Sequence, residues 1–336
     1  MVLTSMPKSE LHRHLELCVR HSTIKELAPQ FGIEVPDEET FRKRFLITEP
    51  MQDLEAVLGK FLDTQKLWAS PEIIERLTFE ICEDAHTQEG IRILELRYAP
   101  TFVTQGHPDL TFNSIHESIL RGVRKAEAQY QMAVGLICII QRILPVKDAQ
   151  AVTEFAIDHR DTFVGLDLAD NEVGFDSKPF SPFFLKAKEA GLGITIHSGE
   201  ANVPKAPRYV RDAIDYLGAT RIGHGVQIYR DEAMMTYVKE RDIVLELCPT
   251  SNWLTSAVES IERHPFKTLM DFGIRTTINT DDPGIFNIDL NHEYRLLHEV
   301  HGLDMAALEK CADYAAEASF ISREKKQKVW PRPITK

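Results

Sequence analysis

Near its start the chain reads Leu11-His12-Arg13-His14-Leu15-Glu16. In a strand, successive side chains point to opposite faces, so His12 and His14 share one face and Arg13 takes the other. Residues two apart in a strand sit roughly 6.6 Å apart at the Cα, from where two imidazoles can reach one metal ion. Three further stretches carry groups of the same chemical kind: His197-Ser198-Gly199-Glu200, Arg221-Ile222-Gly223-His224-Gly225 and Asn279-Thr280-Asp281-Asp282-Pro283-Gly284. Three imidazoles and a carboxylate suit zinc, which takes nitrogen and oxygen ligands. His12, His14, His197 and Asp281 are the expected ligands, with one position left for water. Zinc brings the pKa of such a water down towards ~7, which gives a nucleophile at neutral pH. Glu200, three residues after His197, is the carboxyl best placed to protonate the group under attack. His224 is expected to hold or deprotonate the water, and Asp282 to accept a hydrogen bond from the substrate.

These residues need a frame that brings them to one rim. Short apolar, β-branched runs at 10–14, 91–98, 133–140, 163–168, 193–197, 221–223, 243–247 and 275–279 read as eight strands. Helix-periodic segments lie between them, at 71–87, 115–129, 149–159, 182–189, 208–216, 231–240 and 265–272. Ser70-Pro71 is a helix start, with a capping hydroxyl and then proline in the first turn. Gly191, Gly218 and Gly273 stand where a left-handed cap follows a helix. Eight strands alternating with helices predict a parallel (β/α)₈ barrel spanning residues 1–336 as one domain. A doubly wound sheet would want a glycine-rich turn after its first strand, and this chain has none there. On the barrel reading, the candidate residues all fall at C-terminal strand ends, where such enzymes keep their active sites.

The segment from about 20 to 69 is long for a first strand-to-helix connection. Within it, 52–68 is expected to be helical, with Leu54, Val57, Leu58, Phe61, Leu62 and Leu67 near one face. It serves either as a lid over the catalytic end or as an outer packing helix. Residues 290–330 read as C-terminal helices packed on the barrel.

Composition removes several classes. The chain has 336 residues, 51 acidic and 39 basic, for a net charge of −12. That balance speaks against a nucleic-acid surface and against an anionic membrane. The five cysteines include no CxxC pair, which excludes a thiolate zinc site and a disulfide framework. The expectation is a cytoplasmic enzyme with no secretory signal and no membrane span. Binuclear metallohydrolases on this barrel need a lysine near the end of the fourth strand. Here it ends Gly165-Leu166-Asp167-Leu168-Ala169-Asp170, so one metal ion per chain is expected. The zinc-deaminase architecture built on H-x-E and P-C-x-x-C is excluded, because the chain has no P-C-x-x-C.

The sequence resembles the adenosine deaminase family of the amidohydrolase superfamily over nearly its whole length. The match starts at Met6-Pro7-Lys8-Ser9-Glu10-Leu11-His12-Arg13-His14-Leu15 and is most specific at His197-Ser198-Gly199-Glu200, Arg221-Ile222-Gly223-His224-Gly225 and Thr280-Asp281-Asp282-Pro283. Glu95-Leu96-Arg97-Tyr98-Ala99-Pro100 and Glu246-Leu247-Cys248-Pro249-Thr250-Ser251-Asn252 add weaker support, most of their side chains reading as strand core and loop packing. The resemblance implies one Zn²⁺ on His12, His14, His197 and Asp281. It implies Glu200 protonating purine N1, His224 serving the water and Asp282 bonding purine N7. Water then adds to C6 of a purine nucleoside, adenosine or 2′-deoxyadenosine, and ammonia leaves.

Two places depart from the family pattern. The usual Leu-Asp-Gly after H-x-H is Leu15-Glu16-Leu17 here, which puts Glu16 at the expected ribose end. A glycine whose N–H meets purine N3 is replaced by Asp170. Leu17-Cys18 would present an apolar surface near a 5′ substituent, so 5′-methylthioadenosine is an alternative substrate. Adenine is another, because adenine deaminases also carry glutamate after H-x-H. A barrel that binds purine nucleosides without turnover is the alternative from outside the enzymes.

Overall fold

Eight parallel strands run in sequence order around a barrel in the computed structural model, which describes residues 2–51 and 54–335. They are β1 (Lys8–His14), β2 (Ile91–Tyr98), β3 (Ala133–Gln141), β4 (Phe163–Ala169), β5 (Gly193–Ser198), β6 (Arg221–His224), β7 (Val244–Leu247) and β8 (Arg275–Ile278). Every expected strand is present. β3 shows why the runs were legible: it is buried from Ala133 to Ile140, because a parallel strand is covered by helices outside and by side chains inside.

Helix starts follow local chemistry. Ser70 caps the Pro71–Thr87 helix by accepting from the Ile73 N–H. The Phe112–Gln129 helix begins three residues before the expected 115, because Thr111 and Ser114 form a reciprocal capping box. Gly218 and Gly273 end their helices with φ of 71° and 94°, the left-handed region that glycine enters freely. No helix among the described residues is long and apolar enough to cross a membrane.

The seam between β8 and β1 is built differently from the other seven. Among the described residues its only strand pairing is a bridge between Arg13 and Asp281. There His14 N–H donates to Asp281 O at 2.9 Å and Asp281 N–H donates to His12 O at 3.0 Å. Below the bridge, side chains replace the ladder: Leu11 N–H donates to Asn279 Oδ1 at 3.0 Å, and Thr280 N–H to Glu10 Oε1 at 2.7 Å. The backbone of three candidate ligands therefore closes the barrel. β1 also shifts register against β2, with Glu10 opposite Leu94 but Arg13 opposite Leu96. An extra residue of this kind re-aims side chains, so the strict alternation expected for this strand does not hold throughout.

The long connection after β1 contains the helices His21–Leu27, Glu38–Phe45 and Leu54–Gln65. Residues 52 and 53 of the expected 52–68 helix lie outside the described residues, as do the side chains of Leu54, Val57 and Leu58. Phe41, Phe45, Leu67 and Trp68 are buried, and the Trp68 indole N–H donates to Glu16 O at 3.1 Å. Ile47 N–H donates to Ile285 O and Met51 N–H to Leu254 O, both at 2.8 Å. The segment thus packs on the barrel and is strapped across the loops that follow β7 and β8. At the opposite end of the barrel, Phe320 lies under the Arg221 guanidinium, 3.7 Å from ring centroid to carbon. A Cβ on Gly193 would come within 2.3 Å of that ring, so only glycine leaves room for it.

Candidate active site

β1, β5, β6 and β8 deliver His12, His14, His197, His224 and Asp281 to one rim. His14 Nε2 is 3.2 Å from His197 Nε2, and Asp281 Oδ1 is 3.2 Å from both His12 Nε2 and His14 Nε2. A tetrahedron with zinc–nitrogen arms has edges of roughly 3.3 Å, so these separations are those of ligands around one ion. His224 stands further off, its Nε2 3.9 Å from Asp281 Oδ2 and 3.6 Å from Glu200 Oε2.

The other face of each ring says which nitrogens are bare. His12 Nδ1 faces Glu246 Oε2 at 2.9 Å, and His197 Nδ1 faces Asp167 Oδ2 at 3.0 Å. A carboxylate only accepts, so each Nδ1 carries the hydrogen and each Nε2 keeps a lone pair. Among the described residues, the buried His12 Nε2 has no hydrogen-bond partner. Burial lowers the pKa of both rings, which keeps them neutral. His14 goes the other way: burial opposes its charge, but Asp282 and Asp281 outweigh burial and raise it to about 9. Converging lone pairs and paired carboxylates are an environment that demands a cation. The donor set fits a divalent metal ion.

Behind the rings lies a charged layer that the strand-core reading of Glu95, Arg97 and Glu246 missed. Fully buried Arg97 donates to Asp167 Oδ2 at 2.8 Å and to Glu246 Oε2 at 2.7 Å. It therefore joins the two carboxylates that orient His12 and His197. Arg221 in turn pairs with Glu246 Oε1 at 2.7 Å and Glu95 Oε2 at 2.6 Å. Burial opposes the charge on Glu246, yet Arg97 and Arg221 hold its carboxyl well below the usual range. Arg97→Met is expected to destabilise the fold by about 3–5 kcal/mol, the cost of leaving one partner of a buried pair, and to weaken metal affinity about 10–100-fold. Denaturant unfolding and a metal titration check the two effects separately.

Glu200 is held from two sides. Its Oε1 accepts from the Thr255 hydroxyl at 2.9 Å. Its backbone lies in a clamp, because Glu172 accepts from Gly199 N–H at 2.8 Å and from Ala201 N–H at 2.7 Å. Gly199 has φ of 70°, and a Cβ there would meet Val210 at 2.4 Å. The side chain of Glu200 is 27% exposed, so it faces an open space while its backbone is fixed. Asp282 is buried and its Oδ1 has no hydrogen-bond partner among the described residues. Burial and then the charge of Asp281 push its carboxyl well above the usual range. A carboxyl that holds its proton donates a hydrogen bond, which alters the expectation that Asp282 accepts one.

The two departures from the family pattern differ in kind. Asp170 is exposed and has φ of 76°. That is the left-handed region, which glycine enters freely and which aspartate tolerates better than most residues. Glu16 is 3% exposed and one of its oxygens accepts from Ala99 N–H at 2.6 Å. Burial raises its pKa to about 7, so its charge is incomplete at neutral pH. Leu17 packs with Ile47, Leu254, Ile285 and Phe286 beneath the strapped segment. Cys18 turns elsewhere: its thiol donates to His14 O at 2.7 Å. It lines a separate cavity of about 480 Å³ with Arg13, Arg20 and Gly284, whose wall contains none of the candidate donors.

A parallel eight-stranded barrel with histidine and aspartate donors at its C-terminal rim is the architecture of a metal-dependent amidohydrolase. The sequence model of the adenosine deaminase family matches residues 7–334, and the chain belongs to that family. It is a deaminating hydrolase. An adenosine deaminase of Shigella flexneri is 36% identical to it over 329 residues, 97% of each chain. Among solved structures, it is similar to the N6-methyl-AMP deaminase of Arabidopsis thaliana, 29% identical with a TM-score of 0.83 over 97% of this chain and 96% of that one. The adenine deaminase of Arthrobacter aurescens shares the fold, with a TM-score of 0.86 at 24% identity over 96% of each chain.

Proposed function

We propose that this chain hydrolyses adenosine, and 2′-deoxyadenosine, to the inosine nucleoside and ammonia, using one zinc ion. The observation that carries the reading is the set of 3.2 Å separations among His12, His14, His197 and Asp281, with Glu200 and Asp282 beside it. Those four residues would hold a divalent ion, which would supply a water with its pKa lowered to about 7. The chain's own groups do the rest. Glu200, fixed by Thr255 and by the Glu172 clamp, gives a proton to purine N1 as water adds at C6. Asp282 donates to N7 and sets the plane of the base. The Asp170 N–H is available to N3. The exocyclic amine leaves C6 as ammonia, so one water is consumed for each nucleoside converted.

A nucleoside fits this rim better than a nucleotide. The arginines near it are engaged: Arg13 by Glu10 and Glu89, Arg97 by Asp167 and Glu246, and Arg142 by the carbonyls of Leu168 and His197. Asp170, and Glu16 in its charged form, add carboxylates that disfavour a phosphate. Energy from the sugar can be expressed in kcat as well as in KM, so adenine should react slowly as well as bind weakly. The expected order of kcat/KM is adenosine first, with adenine and adenosine monophosphate lowest; 5′-methylthioadenosine loses its expected advantage, because Leu17 is packed in a buried cluster and Cys18 lines a separate cavity. Loss of absorbance at the adenosine band over these four compounds tests it. Adenine as the best substrate would overturn the nucleoside reading, and the monophosphate as the best would overturn the charge argument.

A further inference from the structure

Two buried residues behind His224, Asn252 and His264, have no part in the reading so far. They form a relay whose direction the structure fixes at each step. Phe266 N–H donates to His264 Nδ1 at 3.1 Å. A neutral imidazole has one donor and one acceptor, so His264 carries its hydrogen on Nε2. Burial, and then the charges of His301 and His224, lower the pKa of His264 to about 3, which keeps it neutral. Its Nε2–H faces Asn252 Oδ1 at 3.1 Å. That bond sets the amide of Asn252, with the oxygen towards His264 and the NH₂ towards His224. Asn252 Nδ2 lies 3.1 Å from His224 Nδ1 and donates to it. The lone pair of His224 is therefore on Nδ1, and its hydrogen is on Nε2. Nε2 is the nitrogen that faces Glu200 Oε2 and Asp281 Oδ2.

We propose that Asn252 and His264 are positioning residues that hold His224 as the Nε2–H tautomer, so that His224 meets the attacking water as a hydrogen-bond donor and not as its base. The inference rests on the reaction centre proposed above. It reverses one half of the expectation for His224, which allowed it to hold or to deprotonate the water. For Nε2 to be bare, Asn252 would have to turn its amide over and set its NH₂ against the His264 N–H. That arrangement leaves two buried donors facing each other, each without an acceptor, and such groups are costly to bury. The proton released by the water then passes to the Glu200 carboxylate, which lies at the same point, and is the proton that Glu200 gives to purine N1.

The direct test is a long-range ¹H–¹⁵N correlation spectrum of the histidine rings in the metal-loaded enzyme. The expected result is a hydrogen on Nε2 of His224 in the wild type. In Asn252→Asp, which puts an acceptor against the ring, a hydrogen is expected on Nδ1. A wild-type ring with Nε2 bare overturns the proposal whether or not any variant folds. Kinetics give a second readout. Asn252→Leu should lower kcat about 10–100-fold, the usual effect of removing a partner that orients an active-site group, with KM and metal content close to wild type. His264→Gln, which keeps a neutral donor opposite Asn252 Oδ1, should retain most of kcat. Unchanged kcat in Asn252→Leu, or a loss matched by lost metal, overturns the positioning role. A wrong substrate assignment would show in the four-compound panel and leave the ring spectrum as expected.

Discussion

Glu200→Gln retains the metal and binds adenosine with near-normal affinity, but its kcat falls by about 10²–10⁴-fold, the range that a general acid contributes. The physical case is local. Glutamine has the same shape and can still accept from Thr255, so the loop between Gly199 and Ala201 keeps its clamp on Glu172. What is lost is a proton that can be given to purine N1. Glu200 is outside the group of atoms separated by 3.2 Å, so the donor set is left intact. Stopped-flow or steady-state kinetics, beside elemental analysis of the same preparation, separates the two readings of this residue. A carboxylate that only oriented His197 would give weaker metal binding and a smaller loss of turnover. A near-normal kcat would move the acid role to another group.

His197→Ala is expected to lose the metal and, with it, activity down to the level of whatever metal remains. Removing this ring takes one corner from the donor set and leaves Asp167 without its imidazole partner, although Arg97 still pairs with that carboxylate. Burial opposes the charge on Asp167, but His197 and then Arg97 hold its carboxyl well below the usual range, so part of that stabilisation goes as well. Folding should survive, because the strand is held by its ladders to β4 and β6 and not by the ring. Elemental analysis of wild type and variant checks the prediction: one transition metal ion per chain in the first, far less in the second. Two ions per wild-type chain, or none in active protein, would overturn the mononuclear site. Asp282→Ala is the control, since it removes a substrate contact while leaving the four donors in place.

The resemblance to a family and the eight strands were legible for the same reason. A strand buried on both faces writes its burial into consecutive residues, as in Val134 to Ile140, and a helix cap writes its hydroxyl next to its proline, as at Ser70-Pro71. Errors fell at element ends. The helix expected at 115 starts at Phe112, because the capping pair is Thr111 with Ser114, two side chains that periodicity does not weigh. His12, His14, His197, His224, Asp281 and Asp282 could be picked out because each stands at a strand end, and a parallel barrel places all such ends on one rim.

The sequence by itself determined the order of elements and the chemical kinds of group that would meet. Both are local properties, carried by hydrophobic period and by short motifs. Tertiary structure decided how those groups are biased. Glu246 reaches His12 across 234 residues, and Arg97 reaches Asp167 across 70. No spacing rule links such pairs, so Arg97 and Glu246 read as ordinary strand residues until the barrel brought them together. The same holds for the relay from Phe266 through His264 and Asn252 to His224, where the location of one hydrogen depends on two contacts inside the connection after β7 and a third from it to the end of β6. It holds too for Glu16, whose type suggested a full charge at the ribose end. Burial beside Ala99 raises its pKa to about 7 and leaves that charge incomplete. Residue type is set by the sequence, but protonation and donor direction depend on desolvation and on neighbours, which exist only once the barrel has closed.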